Sequence, residues 1–403
     1  MFLEERRNKI LDYLDQHDRV SVEYLAEVFS VTRETIRSDL NALARQRLVQ
    51  RCHGGAIMIR RSLQSQLITE TGKDFEVLLK KIKNQVRNRS TRKKDKTMKG
   101  KVCILGSFNV DIVARVARFP KGGESLLAQG SALGPGGKGA NQAMAASMAG
   151  AKVHFVSKVG KDQFSHFAYE HLSKSPIHSF KLYQSETEPT GNAIIYVSQQ
   201  NGENMIAIYS GANKTLTDEE IAEIMPDLED ADVLLLQMEN NFPATLSAMK
   251  LAKALDTRII LNPAPYSDDV VSCLDYVDII TPNETEASLL SGIEISNLES
   301  ARQAAQKIHA LGAARVIITM GANGALLFDG QQFQHIPAFP AVSVDTTGAG
   351  DAFNGAFAAA VAAGQSVAQA ATYANAFASL AVEREGAANM PTHQQVTNRL
   401  AQR

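Results

Sequence analysis

Cysteine is nearly absent from this chain: Cys52, Cys103 and Cys273 are the only three in 403 residues, far apart and without ligand-like spacing. That pattern excludes a disulfide framework and a cysteine metal cluster, and it reads as reduced thiols in a cytoplasmic protein. No apolar run is long enough to span a bilayer and no secretory leader is evident, so no membrane partner is expected. A Walker A loop is missing too, because the lysine of GPGGKGAN (134–141) is followed by Gly139 rather than Ser or Thr. Neither that stretch nor TTGAGD (346–351) has an acidic partner at the distance a dinucleotide fingerprint needs. Net charge is almost nil at -1, but the balance is local. Residues 1–100 carry 22 Lys and Arg against 13 Asp and Glu, and the rest 20 against 30. A basic module joined to an acidic one is the simplest reading.

The basic end opens with short helical patterns. Leu3, Ile10, Leu11 and Leu14 share one face, a second helix runs from about Val22 to Phe29 with Ser21 as cap, and a third from Arg33 to about Ala44 with Thr32 as cap. After Leu48, RLVQRCHGGAI changes to short alternation with a Gly-Gly turn, which predicts a small hairpin. The third helix can expose Arg33, Thr35, Arg37 and Ser38 while Ile36, Leu40 and Leu43 pack inward. Such a helix fits a DNA major groove, with arginine reading guanine edges or phosphates, although three short helices also make docking modules. Residues 61–99 lack sustained periodicity, and residues 71–100 hold eleven basic against three acidic residues. They read as a basic linker, a solvated tether that can add phosphate contacts at low salt.

From Lys101 onward apolar strands alternate with Ala-rich amphipathic helices. KVCILGS, KVHFVSKVG, ADVLLLQ, TRIILNP, VDIITPN and RVIITMG imply βαβ units on a mainly parallel sheet flanked by helices. Two alternating strands around Asn201-Gly202 predict a hairpin, part of a flap over the strand ends where such sheets bind ligands.

Two stretches carry chemistry. In DTTGAGDAFNG (345–355), Gly348, Ala349 and Gly350 permit a tight turn whose N–H groups converge on an anion at a helix start. Asp351 at the same place can take the proton of an attacking alcohol, or can simply cap the helix. GGKGAN brings Lys138 and Asn141 near a polyhydroxyl ligand, and SFNVD puts Asn109 and Asp111 at i and i+2, side chains on one face. Those groups suit vicinal hydroxyls, or else they cap a strand end.

Residues 20–56, with Leu25-Ala26, Thr35-Ile36-Arg37, Asp39-Leu40 and His53-Gly54-Gly55-Ala56 as signposts, resemble the winged helix-turn-helix of DeoR-family repressors. That family usually has Arg-Arg-Asp where this chain has Arg37-Ser38-Asp39, and often a glycine at the place of Arg47. Operator DNA is the partner this resemblance implies. Residues 101–400 resemble the ribokinase branch of the PfkB carbohydrate kinases through both glycine stretches, LNPAP (261–265), ITPNETEA (280–287) and NGENMIAIYSGAN (201–213).

The second resemblance implies a ribokinase-like α/β domain, a mainly parallel sheet flanked by helices, over 100–403 with a small β lid, the first a winged helix-turn-helix domain over 1–60, which leaves 61–99 as the basic linker. It also implies ATP-dependent phosphorylation of the 5-hydroxyl of D-ribose, with deoxyribose or another pentose, or a sugar-sensing regulator with little turnover, as alternatives. Asp351 would be the base, with the backbone of Gly348, Ala349 and Gly350 as anion hole. Asn109, Asp111, Gly137, Lys138, Asn141 and Glu239 would hold the sugar; Asn283, Thr319 and Gly321 would line the nucleotide site. Glu286 would organise Mg²⁺ through water, and Asp345, Thr347, Ala381 and Gly386 a monovalent cation, K⁺. Residues 112–130 and 192–209 look like the family lid and a homodimer surface.

Overall fold

The computed structural model describes residues 6–7, 9–11, 13–14, 19–45, 49–52, 54–58, 75–80, 82, 100–200 and 203–402. The chain forms two compact units, Met1–Asp74 and Phe75–Arg403. Leu3, Arg47, Leu48, His53 and most of the segment read as linker lie outside the described residues.

In the front unit, residues 6–7, 9–11 and 13–14 are helical, followed by α1 (Val22–Val28) and α2 (Arg33–Arg45). Ser21 Oγ accepts the Tyr24 N–H at 3.1 Å and Thr32 Oγ1 the Thr35 N–H at 3.2 Å, so both hydroxyls cap as their positions predict. Ile10, Leu14, Leu25, Ile36, Leu40 and Leu43 close one core. Strands β1 (Arg19–Ser21), β2 (Val49–Cys52) and β3 (Gly55–Met58) form a sheet in the order β1-β3-β2. The expected hairpin is β2–β3; β1 is too short to show an alternation that a sequence reader could find. Asp39 is only 1% exposed and takes Arg6 Nε at 2.6 Å and Arg7 Nε at 3.0 Å, which ties α2 to the first helix.

The back unit is built on nine strands: β4 (Lys101–Leu105), β7 (Lys152–Val159), β8 (Ser179–Gln184), β11 (Val233–Leu236), β12 (Arg258–Leu261), β13 (Ile279–Ile280), β14 (Val316–Thr319), β15 (Ala325–Phe328) and β16 (Phe333–Ile336). Their order is β16-β15-β14-β13-β12-β11-β4-β7-β8. Neighbours are parallel from β8 to β14, and β15 and β16 add an antiparallel edge. Burial is continuous along VLLL of β11 and nearly so along KVCIL and RIIL, as strands covered on both faces require. Sheet order turns back at β4, with β7 and β8 on one side and β11 on the other. A crevice therefore opens beyond the carboxyl ends of β4 and β11, where ligands bind in sheets of this kind.

Helices α3 (Lys138–Met148) and α6 (Ala349–Ala362) meet beside that crevice; between them in sequence lie α4 (Phe242–Ala254) and α5 (Glu284–Ser291), and after them α7 (Val367–Ala381). A Cβ at Gly355 would stand 2.4 Å from Gln142 O, so the two helices approach this closely only because 355 is glycine. Above the crevice, β5 (Asn109–Val116), β6 (Gly130–Gly136), β9 (Asn192–Ser198) and β10 (Asn204–Tyr209) make a four-stranded sheet in the order β10-β9-β5-β6. This is the expected flap, with the 192–209 hairpin in place.

One expectation fails. Within the segment read as an aperiodic arm, residues 75–80 and 82 are helical, with Leu78, Leu79 and Ile82 buried and Glu76 within 3.1 Å of Lys250 on α4. The apolar spacing 78, 79, 82 is one helical face, overshadowed in the sequence by the basic residues around it. No helix among the described residues is long and apolar enough to cross a membrane.

Candidate active site

Helix α6 begins at a turn led by Gly348, whose φ of 78° lies in the left-handed region. Ala349 N–H donates to Thr346 O at 3.1 Å, and the helical ladder begins with Ala352 N–H to Gly348 O at 2.8 Å. The intervening N–H groups of Gly350 and Asp351 have no backbone acceptor among the described residues, and they face the positive end of a helix. Asp351 is not a cap: the cap position is Gly348, without a side-chain bond. Its carboxylate is instead held by two amides, Asn141 Nδ2 to Oδ2 at 3.1 Å and Gln142 Nε2 to Oδ1 at 3.0 Å.

Gln142 is fully enclosed and belongs to a longer chain of amides. Its Nε2 also reaches Asn262 Oδ1 at 3.0 Å, and its Oε1 accepts from Gln237 Nε2 at 2.7 Å. Because a carboxylate only accepts, it turns the amide nitrogen of Gln142 toward itself and the oxygen toward Gln237. Gln237 Oε1 is then buried without a partner among the described residues, an unsatisfied end of this relay.

The groups expected to hold the sugar lie on β5 and at the start of α3. Asp111 and Asn109 rise from β5, and a Cβ at Gly136 on β6 would lie 2.1 Å from Asp111 Oδ1, so the glycine makes room for the carboxylate. Burial first, then the Glu239 carboxylate, pushes the Asp111 carboxyl up to about 6. Glu239 Oε2 accepts the Lys138 N–H at 2.9 Å and the Ser107 hydroxyl, which seats it at the N-terminus of α3 beside Gly137. Burial works against the Lys138 ammonium, yet the carboxylates of Asp351, Glu239 and Glu286 outweigh it and hold its pKa above the ordinary lysine value. One cation thus faces three carboxylates that belong to three different segments.

Asn283 caps α5 in a reciprocal box. Its Oδ1 accepts the Glu286 N–H at 2.8 Å, while Glu286 Oε2 accepts the Asn283 N–H at 3.0 Å. Burial raises the Glu286 carboxyl, with the Asn283 N–H and Lys138 pulling the other way. Thr319 bridges to Asn283 as an isolated parallel pair, and Gly321 opens the exposed turn that follows. No three His, Cys, Asp or Glu side chains among the described residues gather into a metal cluster. The donors present therefore suit a hydrated Mg²⁺ carried largely by phosphate, since Glu286 is already bonded to Asn283.

Asp345, Thr347 and Gly386 also meet. Asp345 Oδ1 accepts the Thr347 N–H at 2.8 Å and Oδ2 the Gly386 N–H at 3.0 Å. Burial pushes this carboxyl up, but those two donors hold it below the usual range. Ala381 ends α7, next to Val382, whose carbonyl takes the Asp345 N–H at 3.1 Å. A carboxylate beside backbone carbonyls is a hard oxygen set that fits a large monovalent cation better than a transition metal.

In the front unit α2 exposes Arg33, Arg37 and Ser38, with Thr35 half-buried. Arg33 pairs with Glu23 at 3.0 Å and Arg37 with Glu34 at 3.5 Å.

Ser107, Gln142, Asn213, Gln237 and Asn262 were not picked out from sequence. Ser107, Asn213 and Asn262 lie inside SFNVD, NGENMIAIYSGAN and LNPAP, and Gln142 inside the Ala-rich run ANQAMAASM, but no stretch shows which side chains meet.

A turn and helix end aimed at anions, a carboxylate fixed beside it and a polar floor under a lid define a phosphotransferase acting on a polyhydroxyl acceptor. Residues 99–394 match the pfkB family carbohydrate kinases, and the chain belongs to that family as an ATP-dependent carbohydrate kinase. Residues 6–62 match the DeoR-like helix-turn-helix domain, so the kinase is fused to a module of that type. The chain is 38% identical over 303 residues to the ribokinase of Staphylococcus aureus (strain COL), covering 74% of this chain and 99% of that protein. It is 36% identical over 258 residues to the deoxyribokinase of Salmonella typhi, covering 64% of this chain and 84% of that protein. The solved structure of Arabidopsis thaliana ribokinase complexed with ribose and ATP matches with a TM-score of 0.68 at 32% identity, over 75% of this chain and 99% of that one.

Proposed function

We propose that this protein transfers the γ-phosphoryl group of ATP to the 5-hydroxyl of D-ribose, and that its front unit binds operator DNA. Asp351 carries the reading, because a carboxylate clamped by Asn141 and Gln142 beside free N–H donors suits a base and not a cap. It takes the alcohol proton as the 5-oxygen bonds to phosphorus and the bond to ADP breaks. Charge building on the transferred group meets the N–H donors of Gly350 and Asp351 and the Lys138 ammonium, while the Ala349 N–H, expected in the same anion hole, is already spent on Thr346 O. Mg²⁺, organised by Glu286 and Asn283, supplies neutralisation of phosphate charge when bound. Asp345, Thr347, Ala381 and Gly386 would hold K⁺, which would supply a fixed positive charge. Thr319 and Gly321 line the nucleotide.

Asn109 and Asp111 favour a sugar with both the 2- and 3-hydroxyls, which supports ribose over deoxyribose. The likeness to a named deoxyribokinase keeps the 2-deoxy sugar as the second reading. Exposed Ile194, Met205, Ile206 and Ile208 on the lid support a homodimer through that sheet. Cytoplasm, where ATP and reduced thiols coexist, is the assigned compartment.

ADP release measured across a panel of pentoses is the decisive experiment. Ribose should give the highest kcat/KM, and Asp351→Asn should lower kcat by about 10³-fold or more while sugar still binds. Undiminished turnover in that variant would remove Asp351 from the chemistry. Gel shift against the DNA upstream of its own gene, with Arg37→Ala expected to weaken binding, tests the front unit.

A further inference from the structure

Asn109 is 3% exposed, yet its amide nitrogen has no hydrogen-bond partner among the described residues. Its oxygen is occupied: Oδ1 accepts from Asn213 Nδ2 at 2.9 Å. The direction of that bond follows from the backbone. Phe108 N–H can only donate, and it donates to Asn213 Oδ1 at 3.0 Å. The nitrogen of Asn213 therefore faces three acceptors, Phe108 O at 3.1 Å, Ser210 O at 3.0 Å and the oxygen of Asn109. One backbone amide thus determines how two side-chain amides lie.

These residues sit where the lid is rooted. Asn109 opens β5, Gly191 precedes β9 and Ser210 follows β10. A Cβ at Gly191 would lie 2.3 Å from both Asn109 Oδ1 and Asn213 Nδ2, so only glycine leaves room for the pair. Two residues along β5, Asp111 offers a carboxylate with no hydrogen-bond donor among the described residues.

We infer that Asn213 is a specificity-determining residue: it locks Asn109 with its NH₂ toward the sugar, so that Asn109 and Asp111 form a donor and an acceptor matched to a vicinal diol. A hydroxyl whose oxygen receives the Asn109 proton can turn its own hydrogen elsewhere, and its neighbour can donate to Asp111. A sugar lacking one of the two hydroxyls leaves a buried donor or a carboxylate unpaired, which is how such sites discriminate. The inference rests on the proposed sugar site, with Asn213 acting through Asn109 and not touching the sugar.

Asn213→Asp tests it, being equal in size but unable to donate. Its carboxylate repels Asn109 Oδ1 and favours the flipped amide, oxygen toward the sugar. Expected are a rise of about tenfold in ribose KM, a smaller change in kcat, and a drop of about tenfold in the ribose to 2-deoxyribose ratio of kcat/KM. In an Asn109→Ala background, Asn213→Asp should no longer change that ratio. An unchanged ratio in the folded single variant, or an equal change in the Asn109→Ala background, would overturn the inference. If Asn213→Asp does not fold, Asn213→Ala, which also cannot donate and leaves Asn109 free to turn, carries the same test with smaller changes in the same directions. If Asn109→Ala alone leaves ribose KM unaltered, the sugar site itself is misplaced and the inference falls with it.

Discussion

The carboxylates of Asp351 and Asp111 are built in opposite ways. Asp351 has both oxygens engaged by side-chain amides, and one of those amides is braced by a further glutamine. Asp111 has no such donor, and burial beside Glu239 leaves its charge poorly supported until a ligand arrives. The contrast fits the two duties proposed for them. A base must stand in one place before the substrate comes, so the protein satisfies it beforehand. A sugar ligand gains most if its bonds are completed by the substrate alone, because a missing hydroxyl is then felt as an unpaired group.

Beyond the loss expected for Asp351→Asn, the sharpest blow to this contrast is Gln142→Leu. It removes one of the two donors and leaves Gln237 unpaired, and kcat should fall about 10- to 100-fold in steady-state assays with little change in sugar KM. A change of equal size in KM would erase the distinction between the two carboxylates.

Next comes pH. Asp111 has a folded-state pKa raised to about 6 from 3.8, so it gains a proton as pH falls through about 6. As a hydrogen-bond acceptor it is needed unprotonated. Ribose KM should therefore rise, by about tenfold per unit at most, as pH drops below about 6, and Asp111→Asn should flatten that limb. Stability runs the other way. A raised folded pKa contributes stability that is full below the unfolded value of 3.8 and lost as pH rises through about 6. Urea titrations at pH 4 and pH 7 should show this contribution disappearing at the higher pH, and in Asp111→Asn the difference should shrink.

The smallest effect belongs to the third carboxylate, Glu286, which is bonded to its own helix cap. Asn283→Ala should cost about 1 kcal/mol in chemical denaturation. The same variant should raise KM for ATP and leave KM for ribose alone, separating the proposed nucleotide site from both carboxylates compared above.

Both glycine stretches were readable because their chemistry is local: a helix start, a tight turn and the acid beside it are contiguous in 345–355. Parallel strands were equally plain, since VLLL and RIIL are apolar without alternation. The amide relay was not. Gln142, Gln237 and Asn262 lie on three segments, and nothing in any of them says that the others are near until α3 and α6 close upon Gly355. Asn213 hides for the same reason, more than a hundred residues from Phe108, whose backbone it clasps. Asp39 looks like an ordinary solvent-facing acid on α2 until Arg6 and Arg7 cover it.

The helical residues 75–80 and 82 change where the kinase can be severed from the front unit. Leu78, Leu79 and Ile82 are buried, and they belong with the rear unit. A recombinant kinase begun at Gly100 would leave three greasy hollows open to water and invite clumping. One begun at Phe75 keeps its plug. The natural seam of this fusion therefore falls between Asp74 and Phe75, some two dozen residues earlier than the string of arginines and lysines suggests.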